Sequence, residues 1–220
     1  DNVLRSSRNI EGVKTIELDE IFRQAKDSGI IQLAHHIINN EIDDIDLFSQ
    51  YQDINFFPML NYDVIKNVKT IVNKALEEGY DTSDIQVLAP MYHGVAGIDA
   101  LNDALQDVFN PKDQCVDSYK IGRIEYRIGD KILQLKNRVD DNVFNGDIGI
   151  LIDICRKDNF EYLQDTLIVD FDGNIVEYTS QNFNTITLAY CMSIHKSQGN
   201  EFKIVIMPVL SDYYIMLRRN

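Results

Sequence analysis

The sequence predicts an α/β fold, a parallel sheet flanked by helices and interrupted in one of its loops by a small β-barrel. Three observations carry the prediction. Up to about residue 120, helical periodicities alternate with short apolar strands, the pattern of a parallel sheet. From Gly122 to Thr187 the pattern changes to short strands separated by turn signals, which suits a small barrel. Two further apolar strands, Ile186 to Cys191 and Ile204 to Met207, then return to the first pattern. The expected division is a sheet domain of residues 1–120 and 186–220 with an inserted domain at 121–185. It implies that Ile132, Ile150 and Val169 do not share a core with Val87 and Val205.

Each element has its own justification. Residues 19–39 are mainly helical by pattern, with Ile30, Leu33, Ala34 and Ile37 at i, i+3, i+4 and i+7. Asp27-Ser28-Gly29 breaks that run, and Ser28 is the expected cap of its second helix. The acidic stretch after Asn39 reads as a loop. Residues 62–78 place Val64, Ile65, Val68, Ile71, Val72 and Leu76 on one helical face and end at Gly79. Ile85 to Ala89 is a strand broken by Pro90, and residues 98–109 form a helix through Ile98, Leu101, Leu105 and Val108 that stops before Pro111. Within the insertion, the runs from Lys131, Ile148 and Thr166 bear the apolar load. Asn145-Gly146 and Asp172-Gly173 are hairpin signals.

Composition sets bounds on function. A chain of 220 residues, 45% hydrophobic and 25% charged, is ordinary for a soluble globular protein and holds one or two domains. No apolar run approaches the ~20 residues needed to span a bilayer, and the N-terminal residues lack a signal-peptide core, so no membrane partner is expected. Cys115, Cys155 and Cys191 are widely spaced and odd in number, which fits reduced thiols and a cytoplasmic setting. No Cys/His spacing suggests a metal site, and His35-His36, adjacent on a helix, read as structural or surface residues. The net charge of −14 argues against indiscriminate nucleic-acid binding. The charge is uneven, however. Residues 40–65 carry six acidic side chains and no Lys or Arg, whereas 120–138 carry Lys120, Arg123, Arg127, Lys131, Lys136 and Arg138 against Glu125 and Asp130.

The most informative stretch is Ala189 to Pro208. A polar turn, Ser193-Ile194-His195-Lys196-Ser197-Gln198-Gly199, follows a buried strand and precedes Glu201 and a second strand. Such polar groups at a strand's carboxyl end lie where α/β sheets bind ligands, and they include several donors for phosphate oxygens. A second segment, Ala89-Pro90-Met91-Tyr92-His93-Gly94 through Gly97, joins a strand to a helix N-terminus. It is followed by Leu101-Asn102 and Asn110-Pro111. Its backbone N–H groups would seat a phosphate, and Tyr92 or His93 could stack on a base. A third, Glu20-Ile21-Phe22-Arg23-Gln24, offers a guanidinium suited to phosphate oxygens. Ile16 to Glu20 mimics a Walker B strand, but no Gly-x-x-x-x-Gly-Lys-Ser/Thr accompanies it.

Together these segments resemble the RecD-like superfamily 1 DNA helicases, the exodeoxyribonuclease V alpha family. Residues 193–202 are similar to motif V, with Ser193 in place of the usual Thr and Asn200 in place of the usual Ser. The resemblance implies a RecA-like, P-loop-NTPase-type second motor domain (2A) with an inserted SH3-like barrel (2B). It also implies the residue roles. Arg23 would be catalytic at the γ-phosphate of ATP, with Gln24, Gly199 and Glu201 also at the nucleotide, Glu201 at the ribose. Pro90, Met91, Tyr92, His93, Gly94, Asn102, Ser193, His195, Lys196, Ser197 and Gln198 would face single-stranded DNA. ATP and Mg²⁺ would be held mainly by an N-terminal motor domain outside these residues. That domain, single-stranded DNA and RecBCD-type nuclease subunits are the implied partners. Asp1 to Leu4 resembles the end of motif III, so the chain reads as one half of an ATP-driven motor, inactive alone. The alternative is a nucleic-acid-binding module that has inherited the motor residues without their activity.

Overall fold

The computed structural model describes residues 28–39, 41, 51–157 and 162–214. The chain divides into two compact units, residues 1–58 and 59–220. In the first, helix α1 spans Gly29–Asn39. The carboxylate of Asp53 accepts from the N–H groups of Gly29 (3.1 Å) and Ile30 (3.5 Å), and from the Ser28 hydroxyl (2.6 Å). An anion at a helix N-terminus satisfies orphan donors and complements the dipole, and these bonds hold the Asp53 carboxyl below its usual range, the Ser28 contribution being largest.

In the second unit, helix α2 (Val64–Glu77) follows a single 3₁₀ turn at Asn61–Asp63. Val64, Val68, Val72 and Ala75 form its buried face. Gly79, at φ +94°, closes the helix: its N–H donates to Leu76 and that of Tyr80 to Ala75, the left-handed ending that a residue without Cβ adopts freely. Strand β1 (Ile85–Leu88) is buried throughout, as a central strand of a parallel sheet covered on both faces must be. Helix α3 spans Ile98–Phe109.

The insertion contributes β2 (Ser118–Ile121), β3 (Ile124–Arg127), β4 (Lys131–Gln134), β5 (Ile148–Cys155), β6 (Thr166–Phe171) and β7 (Asn174–Thr179). Strands β8 (Ile186–Leu188), β9 (Cys191–Met192) and β10 (Ile204–Ile206) follow. The sheets are a parallel one ordered β10-β1-β9, a β2-β3 hairpin and an antiparallel one ordered β7-β6-β5-β4-β8. In the last, β7 and β8 are edges, so its ladders form an open sheet. Asp172 and Gly173, both at positive φ, make the two-residue turn between β6 and β7. Asn145-Gly146 instead sits in the longer β4–β5 loop, after a bridge between Arg138 and Val143.

Two expectations about the insertion change. The run Ile186 to Cys191 is two strands, and β8 pairs with β4, so the antiparallel sheet reaches Leu188 and not residue 185. Nor do the cores follow that division: a second, smaller cluster of Leu88, Leu133, Ala189 and Met192 also mixes residues of the two parts. Ile132 and Val169 belong to the same buried cluster as Val87, whereas Ile150 and Val205 are exposed. The cause is the joint where β3 passes into β4 and β8 into β9. Tyr190 stacks flat on Phe109, with ring centroids 5.3 Å apart. The Asp130 carboxylate accepts from Tyr190 Oη (2.9 Å), Gln106 Nε2 (2.6 Å), Asn110 Nδ2 (2.8 Å) and the Arg127 N–H (2.7 Å). Burial raises its pKa, and these donors oppose the rise.

Beside it, the Lys131 ammonium is buried. It donates to the carbonyls of Thr82 (3.0 Å) and Ile85 (3.1 Å) and to Gln86 Oε1 (3.1 Å). Gln86 Nε2 in turn donates to the carbonyls of Ala189 (3.1 Å) and Tyr190 (3.2 Å). Desolvation lowers the Lys131 pKa to about 8. Each of the three ammonium protons has a neutral acceptor, and the nearby Asp81 carboxylate opposes the fall in pKa.

Candidate nucleic-acid interface

Leu88 at the end of β1 and Met192 at the end of β9 are partners in the parallel ladder. The segments leaving both strands therefore start from one edge of the sheet, its carboxyl side, where α/β folds place ligands. Two polar stretches distant in sequence, Pro90–Gly97 and Ser193–Glu201, are brought to that edge by strand pairing alone.

In the first loop, Met91, Tyr92, His93 and Gly94 are exposed and Pro90 is half-buried. The loop folds tightly onto the start of α3. A Cβ on Gly97 would lie 2.5 Å from the Tyr92 carbonyl oxygen, so only glycine fits there. The N–H groups of Ile98 and Asp99 donate to the carbonyls of Met91 (2.9 Å) and Tyr92 (3.1 Å), and that of Gly97 to Gly94 (3.2 Å). These donors, expected at a phosphate, are used by the loop itself. What it presents outward is the Tyr92 ring and the His93 imidazole, whose Nδ1 lies 2.9 Å from Asp99 Oδ2 across the surface.

Asn102, expected at the nucleic acid, is placed elsewhere. Its side chain is buried, 5% exposed, and both ends of its amide hold the backbone of β9. Nδ2 donates to the Cys191 carbonyl at 2.9 Å, and Oδ1 accepts from the Cys191 N–H at 2.8 Å. A helix-borne amide thus takes the place of a neighbouring strand for this residue, because β9 is an edge strand and the Cys191 N–H and carbonyl face away from β1.

The second segment begins with a helical turn, in which the Ser193 carbonyl accepts from the N–H groups of Lys196 (2.9 Å) and Ser197 (3.2 Å). The Ser197 hydroxyl donates to the Ile194 carbonyl (2.8 Å). His195, Gln198, Gly199 and Glu201 are exposed, while Ser193, Lys196 and Ser197 are half-buried. Lys196 reaches the loop between β4 and β5, donating from Nζ to the Leu135 carbonyl (3.3 Å) and to Asn145 Oδ1. The sequence gives no signal for Leu135, which contributes only its carbonyl, and none for Asn145 beyond a turn dipeptide. Arg23 and Gln24 lie outside the described residues.

The basic run of the insertion is largely consumed by the fold. Arg127 is buried and pairs with Asp107 at 2.8 Å, and Lys131 is buried as described. Arg138 lies 4.6 Å over the Tyr178 ring and pairs with Asp141 at 2.7 Å. Lys120, Arg123 and Lys136 remain exposed. Among the described residues, no group of three or more His, Cys, Asp or Glu converges as a metal site, and no helix is long and apolar enough to cross a membrane. All three cysteines are free thiols.

Residues 101–171 match the model of the ATP-dependent RecD-like DNA helicase SH3 domain, and residues 188–220 match that of the UvrD-like helicase C-terminal domain. An ATP-dependent RecD2 DNA helicase of Deinococcus radiodurans is 31% identical over 212 residues, covering 96% of this chain and 27% of that protein. The RecBCD enzyme subunit RecD of Buchnera aphidicola (subsp. Acyrthosiphon pisum) is 27% identical over 220 residues, covering 90% of this chain and 35% of that protein. The chain thus spans about a quarter to a third of the length of these relatives. In fold it is similar to the Pif1 helicase from Bacteroides solved with ADP-AlF3 and ssDNA, at TM-score 0.52 and 18% identity, covering 89% of this chain and 46% of that one. By sequence the chain is homologous to the C-terminal region of RecD-type superfamily 1 helicases.

Proposed function

We propose that this chain is the second motor domain of an ATP-dependent DNA helicase of RecD type, with an SH3-like insertion that runs from about residue 121 to Leu188. The observation that carries the reading is the shared edge of β1 and β9, which sets Pro90–Gly97 beside Ser193–Glu201. Single-stranded DNA would lie along that edge. Met91, Tyr92, His93 and Gly94 on one loop, and Ser193, His195, Lys196, Ser197 and Gln198 on the other, would face its bases and backbone. Aromatic faces suit bases of any sequence, and the Lys196 ammonium suits a phosphate oxygen. Asn102 would act only by holding β9.

Gly199 and Glu201 would face the nucleotide, joined by Arg23 and Gln24. ATP supplies the free energy when bound, with its phosphates and Mg²⁺ held by the N-terminal motor domain. Arg23 would place a planar, permanently charged fork against charge developing on the γ-phosphate. A RecBCD-type nuclease complex is the proposed setting in those organisms whose RecD is such a subunit.

The test is a pair of measurements on the full-length protein that carries this chain: DNA-stimulated ATPase, and binding to an oligothymidylate at several salt concentrations. Stimulated turnover, with a salt slope reduced by roughly 0.7 in Lys196→Ala, is expected. Binding without turnover would instead identify a nucleic-acid module whose motor residues are idle.

A further inference from the structure

The contact between Lys196 and the β4–β5 loop has a definite chemical form. Both acceptors at Nζ, the Leu135 carbonyl and Asn145 Oδ1, are neutral, so the positive charge is undiminished. An ammonium has three protons to donate. Two are engaged, and one remains on a side chain that is only half-buried, beside an exposed Asn145.

The loop is a firm support. The Asn145 N–H donates to Asn137 Oδ1 (2.8 Å), the Gly146 N–H to the Gln134 carbonyl (2.9 Å) and the Phe144 N–H to Asp147 Oδ2 (2.7 Å). A second bond ties it to the same turn, from Asn200 Nδ2 to the Gly146 carbonyl at 3.3 Å. Gly146 adopts φ +104°, and a Cβ there would approach the Lys196 carbonyl oxygen to 3.4 Å, so the two segments meet closely along their backbones.

We propose that Asn145 is a positioning residue, which holds the Lys196 ammonium in place for a backbone phosphate of a single-stranded nucleic acid. The proposal rests on the DNA-facing reading of Lys196 given above. A lysine on an unrestrained stem loses its rotamer freedom each time it meets a phosphate. One already fixed by two neutral acceptors has lost it on folding. The insertion therefore takes part in nucleic-acid binding without touching the nucleic acid.

The test uses the full-length protein and an oligothymidylate, with binding measured over a range of salt concentrations. Asn145→Ala should weaken binding about 3- to 10-fold, the cost of ordering one free side chain, and leave the salt slope unchanged because the charge is still present. Asn145→Asp is nearly the same size but sets a carboxylate against the ammonium. It should lower the slope by roughly 0.7, as Lys196→Ala does. In a Lys196→Ala background, Asn145→Ala should have no further effect. A loss that adds fully to that of Lys196→Ala would overturn the positioning role while leaving Lys196 at the DNA. An unchanged slope in Lys196→Ala would overturn the DNA-facing reading, and the positioning role with it.

Discussion

Replacing Asn102 with Ala separates the structural role found for this residue from the nucleic-acid contact expected of it. The substitution removes two bonds, 2.9 and 2.8 Å long, and leaves the N–H and carbonyl of Cys191 in the interior without those partners. Each orphaned group costs about 1–3 kcal/mol, so the pair should destabilise the fold by roughly 3 kcal/mol after partial relaxation. For a chain of this size that is a drop of roughly 6–12 °C in melting temperature. Urea unfolding should show a lower midpoint with an unchanged slope, because the area exposed on unfolding is the same. Asn102→Asp sharpens the test. A carboxylate there would still accept from the Cys191 N–H but would face the Cys191 carbonyl, so its folded-state pKa would be raised above the unfolded value. The variant should therefore gain stability as pH falls and lose it as pH rises through that pKa. An Asn102→Ala protein with wild-type unfolding and weakened DNA binding would refute the reasoning and return the residue to the nucleic acid.

Other substitutions probe other parts of the molecule. Lys131 is the clearest pH-dependent group, its pKa lowered to about 8 by burial. Between pH 8 and its unfolded value near 10.4, the unfolded chain binds more protons, so the penalty for burying the charge, roughly 3 kcal/mol, should fade as pH rises. The stability difference between wild type and Lys131→Met, measured by urea unfolding at pH 7.5 and pH 10, should shift by roughly 2 kcal/mol in favour of wild type, and an unchanged difference would count against it. Gly97→Ala should cost about 1–3 kcal/mol and disturb the loop before α3, since the new Cβ would meet a backbone carbonyl at 2.5 Å. A crystal structure of the variant with the loop unmoved would contradict this. In the full-length protein, Arg23→Ala should lower ATPase turnover by roughly 10³-fold with little effect on DNA binding, and Lys should rescue it poorly. Glu201→Ala should raise the Michaelis constant for ATP while DNA affinity stays near normal, and equal effects on both would place Glu201 on the wrong side of the turn.

What the sequence made legible was local. The helix expected at residues 98–109 is found at those residues, because its apolar spacing and the following Pro111 are both short-range signals. The Asp172-Gly173 turn was readable for the same reason, since its left-handed conformations select those residues. The long-range partnerships were not. Nothing near Asn102 says that its amide will hold Cys191, and nothing near Lys131 says that its ammonium will be enclosed by the carbonyls of Thr82 and Ile85. Asn145-Gly146 looked like a hairpin turn and proved to be the seat of Lys196, because a dipeptide reports its own backbone and not what docks on it. Likewise, the basic run at 120–138 counted charges without their partners, and the buried Arg127 and Lys131 serve the interior.

The joint through Asp130, Lys131 and Tyr190 decides how the insertion handles force. An appendage on a flexible tether would absorb a pull by swinging. Here the strands that enter and leave the insertion run directly into a common interior, and residues 59–220 form one compact unit. To swing, the insertion would have to bring Tyr190 into solvent and strip the ammonium of Lys131 of its acceptors. A load applied to the β4–β5 loop would therefore be delivered to the strand ends that carry the two polar loops, as along a lever rather than a flap.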